Sequence, residues 1–136
     1  MEDKPPNRDQ LRAELALLRR QLAEAREAAA RQRHTEEALR ESEVRYRLLF
    51  ETSPDAVVLY DSDGRVLHVN QAFVDTYGWS RGEWQGRRID FVPPEEQEKA
   101  SQVIAATLAG QKSEFETRRL TKDGRLLDVH LSVAPF

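Results

Sequence analysis

The sequence predicts an α+β fold, an antiparallel β-sheet with helices on one face, carried behind a long N-terminal α-helix. Three observations lead there. The first 48 residues contain no glycine and, after Pro6, no proline, and they are dominated by Ala, Leu, Glu, Arg and Gln, the strong helix formers. From Phe50 the texture changes to short apolar runs punctuated by Gly, Pro, Asn and Asp. Two pairs of those runs meet across an Asp-Gly dipeptide, the strongest short-range hairpin signal.

Within the first half, Leu11, Leu15, Leu18, Leu22, Ala25 and Ala29 recur at alternating spacings of four and three, the seam of a coiled coil. A helix of roughly 40 residues would be a rod of about 60 Å. Glu27 with Arg31, Glu36 with Arg40, Glu41 with Arg45 and Glu43 with Arg47 place an acid four residues before a base, the better order for helix side-chain pairs. Continuing the register puts Gln32 and Glu36 on the seam, so the apolar stripe breaks there and Leu39 resumes it alone. A stripe so far upstream of any core calls for a partner, and a parallel homodimer is the expectation.

The second half begins with "DAVVLYDSDGRVLHVN", two β-type runs joined at Asp63-Gly64, with Asp61 placed to cap the turn. Asn70 is set to cap a short helix over "QAFVDTY" and Gly78 to close it. Ser80 and Glu83 have capping-box spacing. Pro93-Pro94 suit the first turn of a longer helix, on which Ala100, Val103, Ile104, Thr107 and Leu108 form one apolar face that Gly110 ends. "SEFETRRLTKDGRLLDVHLSVAPF" supplies the second hairpin, at Asp123-Gly124.

Composition narrows the function. A net charge of −3 gives no basic field for holding phosphates, so nucleic acid is not an expected partner. The chain has no cysteine, which excludes disulfides, thiolate catalysis and cysteine metal sites. No run of about 18 apolar residues is present, and a cytoplasmic protein without a membrane span is the expectation. His34 sits on the charged helix, while His68 and His130 alternate with apolar neighbours on strands and are expected at the surface. Asp63 and Asp123 are explained by turn geometry. No nucleophile, base and orienting group assemble from this sequence, and no catalytic or metal-ligating residue is assigned.

The order hairpin, small helices, longer helix, hairpin, with "RYRLLFETSPDAVVLYDSDGRVLHVNQAF", "YGWSRGEWQGR" and "TKDGRLLDVHLSVAPF", resembles a PAS domain, a sensory fold of bacterial signalling proteins such as sensor histidine kinases. The upstream "EEALRESEVRYRLLF" is similar to the helical connector that enters such domains. The organisation implied is a disordered N-terminus over 1–7, a coiled-coil helix over 8–43 and a PAS domain over 44–136. The resemblance implies a five-stranded sheet in spatial order 2-1-5-4-3. Here strand one is expected at Ala56–Tyr60, strand two at Val66–Val69, strand three at Glu114–Leu120 and strand four at Leu126–Val133. The last and central strand is missing from this chain, which leaves a slot between strands one and four.

The resemblance also implies a small pocket between sheet and helices, and periodicity offers Phe73, Tyr77, Phe91, Val103, Ile104, Leu108, Val129, Leu131 and Val133 as its lining. The plainer reading is that these residues fill the core, since no polar constellation among them picks out a ligand. The cofactor is unknown: the cysteinyl-flavin branch of the family needs a cysteine, and the usual haem branch needs an axial histidine where this chain reads Lys99-Ala100-Ser101. A noncovalent flavin or small metabolite stays open. The function implied is non-catalytic: a sensor and dimerisation module relaying conformational change through helices to an output domain, of a histidine kinase in a two-component phosphorelay. The alternatives are a coiled-coil interaction protein whose PAS domain only packs, or the input domain of a cyclic-dinucleotide enzyme or transcription regulator.

Overall fold

The computed structural model describes residues 7–136. Residues 1–6, nearly all of the segment expected to be disordered, lie outside the described residues. The chain divides between Arg47 and Leu48 into two compact units.

Among its described residues the first unit is a single helical stretch from Arg8 onward. Helix α1 runs Arg8–Thr52 and so continues past the unit boundary. It ends where Pro54, the first proline after Pro6, disfavours helical backbone in the residue before it. No residue of α1 is buried. Gln32 and Glu36, which interrupt the leucine seam, satisfy each other through Nε2 donating to Oε1 at 3.0 Å. The four Glu-to-Arg pairs expected along the helix are not closed among the described residues; the ion pair that forms is Arg20–Glu24 at 3.5 Å, in the opposite order. Solvated pairs of this kind contribute only a few tenths of a kcal/mol, about the entropy of fixing their side chains, so their order carries little weight.

In the second unit β1 (Val58–Tyr60) pairs antiparallel with β2 (Val66–Val69), and β3 (Ser113–Leu120) with β4 (Leu126–Val133). Between the hairpins come α2 (Gln71–Tyr77), α3 (Arg81–Trp84), a 3-10 turn (Pro94–Glu96) and α4 (Gln97–Leu108). Strand β1 is shorter than expected because the Val57 N–H is taken by the Asn70 side chain instead of a ladder partner. Both hairpin loops are the same five-residue device. In the first, the Asp61 carboxylate accepts from Asp63 N and Arg65 N, and Gly64 adopts φ 75°. In the second, the Thr121 hydroxyl accepts from Arg125 N, and Gly124 adopts φ 85°. A positive φ at that position is what selects glycine in both.

The four strands form two separate two-stranded sheets, β1-β2 and β3-β4. These are the pairs 2-1 and 4-3 of the order that the resemblance implies, and no ladder joins β1 to β4 among the described residues. The other sides of the hairpins are held by the segment between α3 and the 3-10 turn. Val66 N donates to Arg87 O, Gly86 N to Val66 O, and Leu120 N to Phe91 O at 2.7 Å. That segment therefore ties β2 to β3, and among the described residues β1 and β4 each pair with one strand only.

The core lies beneath this tie. Val66, Val69, Phe73, Tyr77 and Trp84 are buried, with Val58, Tyr60, Val74, Trp79, Ile89, Phe91 and Leu127 packed around them. Helix α2 is fixed at its start by Asn70, whose side chain accepts from Phe73 N, and at its end by Gly78 at φ 80°. The capping box of Ser80 and Glu83 forms as expected. Glu83 also pairs with Lys122, and hydrogen bonds from Lys122 and Ser80 hold its carboxyl down at about 2.

Candidate functional site

The inner face of the β3–β4 hairpin is set by its register. Phe115 pairs with Leu131, Thr117 with Val129 and Arg119 with Leu127, so these six side chains share one side of a period-two surface. Across from them stands the aromatic cluster of α2 and the tie segment. Phe73 and Tyr77 rings lie 4.7 Å apart, and Phe91 meets them edge-on at 6.2 and 5.7 Å, the geometry aromatic quadrupoles favour.

Arg119 closes this cluster. Its guanidinium sits 5.6 Å above the Phe91 ring, and the residue is 4% exposed. Nη1 donates to Thr117 Oγ1 at 2.9 Å and to Arg118 O at 2.8 Å. Thr117 Oγ1 donates in turn to Glu96 Oε2 at 2.9 Å, so the arginine is linked through one hydroxyl to the turn that opens α4. Burial pushes the Tyr60 and Tyr77 phenols up, with the Arg119 charge pulling partly against it. Burial likewise lowers the guanidinium, opposed by Tyr77, Tyr60 and Glu96. An arginine keeps its charge at neutral pH even so.

Of the nine lining residues expected from periodicity, the structure brings Phe73, Tyr77 and Phe91 together. Val129, Leu131 and Val133 lie half-buried along β4, and Val103 is half-buried on α4. Ile104 and Leu108 are 54% and 64% exposed, which corrects the expectation of a single apolar face on α4. The helix turns Ala100, Val103, Ala106 and Thr107 inward, and Ile104 and Leu108 lie about 100° and 140° around it from Val103. An open groove of about 470 Å³ crosses the second hairpin, lined by Glu116, Thr117, Arg118, Asp128, Val129 and His130. Only Val129 is common to the groove and the expected lining.

His130 is exposed and pairs with Glu114 at 2.8 Å, and His68 is exposed on β2. Among the described residues no group of three His, Asp or Glu side chains is placed to hold a metal ion. No described helix is long and apolar enough to cross a membrane. The seam residues Leu11, Leu15, Leu18 and Leu22 are 48–54% exposed, and Ala25 and Ala29 are exposed with them.

Sequence reading missed Arg119. The signal was available: counting back in twos from the Asp123-Gly124 turn puts Thr117 and Arg119 on the same face as Val129 and Leu131, a charge where an apolar side chain is the rule.

The model of the PAS fold matches residues 44–136, and the chain belongs to the PAS family. A curated relative, the sensor histidine kinase TmoS of Ectopseudomonas mendocina, is 29% identical over 124 residues. The match takes in 89% of this chain and 12% of that protein, so the chain spans about an eighth of the curated relative's length. Among solved structures, the PAS domain of an HTR-like protein from Haloarcula marismortui is 28% identical at a TM-score of 0.63, covering 76% of this chain and 87% of that one. A domain of the sensory box sensor histidine kinase/response regulator from Geobacter sulfurreducens is also 28% identical, at 0.62, covering 71% and 85%. The chain is thus a PAS sensor domain homologous to those of sensor histidine kinases, entered through a long helix.

Proposed function

We propose that this PAS domain senses a small ligand or partner in its core and passes a conformational bias through its attached helices to an output domain, that of a histidine kinase in a two-component phosphorelay in the cytoplasm. The observation carrying this reading is the clamp on the last turn of α1. Glu51 Oε2 accepts from Gln71 N at 3.1 Å, and the same carboxylate holds Arg81 Nη2 at 2.8 and 2.9 Å. The end of the entering helix is therefore bonded to α2 and α3, the two short helices that bear or flank the aromatic cluster. A ligand that binds two arrangements of that cluster unequally shifts their populations, and the helix end moves with them.

The test is a histidine-kinase catalytic core fused behind Phe136, with autophosphorylation measured for the parent and for Val103→Trp, a wedge placed on the inward side of α4. A bias of about 1 kcal/mol changes the rate about fivefold. Equal rates from two folded fusions would sink the relay.

The exposed leucine seam supports the second element of the proposal, a parallel homodimer through α1. The protein is expected to elute at dimer mass by light scattering, and Leu15→Asp with Leu22→Asp to bring it to monomer mass. Dimer mass that survives deletion of residues 50–136, joined to a kinase fusion indifferent to the PAS core, would favour the purely interacting module instead.

A further inference from the structure

Resting on the sensor reading, we propose that the ligand class is a small monocarboxylate with an apolar body, held by the Nε/Nη2 edge of Arg119. A guanidinium offers carboxylates two parallel N–H donors along that edge. In this protein Nη1 is fully engaged by Thr117 and Arg118 O, whereas, among the described residues, Nε is buried with no hydrogen-bond partner and Nη2 makes no hydrogen bond. Among the described residues no carboxylate pairs with Arg119; the acid nearest to it in the network, Glu96, reaches it only through the Thr117 hydroxyl. A buried arginine is ordinarily paired, because an uncompensated charge and an unmade donor both carry a desolvation penalty. The free edge is the feature that an anionic guest satisfies.

The surroundings choose the guest. The neighbouring cations are already occupied: Arg118 by Glu95 and Glu96, Lys99 by Glu116 O and the Phe115 ring, Lys122 by Glu83. One charge is therefore available, which suits a monoanion, and the hydrogen-bonded Glu96 carboxylate disfavours a dianion such as phosphate. The side chains around the guanidinium are apolar: it lies over the Phe91 ring, which packs edge-on against Tyr77, and Leu127 is its partner in the ladder, so the free edge suits a guest with an alkyl or aryl body better than one with a polar body. Because Nη1 is bonded to Thr117 and Thr117 to Glu96, closing the free edge on a carboxylate also loads the turn that opens α4.

The experiment is a titration of ¹⁵N-labelled protein, all 136 residues, with acetate, butyrate, hexanoate, 1-butanol and inorganic phosphate at constant ionic strength, following the arginine Nε–H resonances. The Arg119 signal, assigned by its loss in Arg119→Lys, is expected to shift saturably with butyrate or hexanoate and to stay put with 1-butanol and phosphate. Arg119→Lys, which keeps the charge and loses the fork, is expected to raise Kd at least about tenfold, and Arg119→Met further. The inference is overturned by no saturable shift with any of the three carboxylates, by an equal shift with 1-butanol, or by a variant of native circular dichroism that binds as the parent does. If neither variant folds, the parent titration with its alcohol and phosphate arms still decides. Failure here leaves the relay standing, since that is read from the kinase fusion and Val103→Trp, and failure of the relay leaves the titration unchanged.

Discussion

Phe73→Ala is expected to destabilise the PAS core by about 4 kcal/mol, the upper range for truncating a fully buried aromatic side chain. Phe73 is 0% exposed and is the residue that both Tyr77 and Phe91 contact with their rings. Removing it forfeits the transfer energy of the ring, leaves a cavity that helix α2 cannot close because Asn70 and Gly78 fix both its ends, and takes away two aromatic pairs worth roughly 0.5–1.5 kcal/mol each beyond area. Native domains are stable by only about 5–15 kcal/mol, so a loss of this size removes a large share of the total. Denaturant unfolding followed by tryptophan fluorescence reports it, since Trp84 belongs to the same cluster and Trp79 packs against it. Leu108→Ala, at a position 64% exposed, is the control and should change stability by less than about 0.5 kcal/mol. A Phe73→Ala cost below about 1 kcal/mol would mean that the cluster is not the centre of the fold.

That contrast also marks what the sequence reveals and what it hides. Asn70, Gly78, the Ser80–Glu83 box and both Asp-Gly loops act within a few residues of themselves, and their structural roles follow from local chemistry. The strand bounds of β2 and β4 and the period-two faces follow from patterning. Patterning misplaces Leu108 and Ile104 because a helix with alternating small and large apolar residues has two possible inward sides, and only the partner surface chooses between them. Arg119 escapes a sequence reading for the related reason that residue type argues for the surface while register argues for the interior. Register wins here because the Thr117 hydroxyl and the Phe91 face receive the guanidinium. The separate β1-β2 and β3-β4 sheets were legible only through the family resemblance, since the slot between them is a property of the whole topology and of no single segment.

Asn70→Ala is expected to cost about 3 kcal/mol, and its pattern should identify which of two jobs matters more. The side chain is completely buried and satisfies three backbone groups at once. Its Oδ1 accepts from Phe73 N at 3.0 Å, which caps α2, and from Val57 N at 2.9 Å, while Nδ2 donates to Asp55 O at 2.8 Å. The first bond is local; the other two tie the turn after α1 to the end of β2 and so hold the entry of β1 against the core. Alanine leaves all three groups without this partner, at about 1 kcal/mol or more for each that stays out of water. Asn70→Ser separates the jobs, because a hydroxyl at this position restores a helix cap, worth about 1 kcal/mol, but is too short to span to Val57 and Asp55. Serine should therefore recover about a third of the loss, and hydrogen exchange at the Val57 amide should stay as fast as in the alanine variant. Full recovery by serine would show that the clamp contributes nothing. It would also weaken the case for a bonded route from the α1–β1 turn to α2, beside the one that Glu51 makes to Gln71 and Arg81.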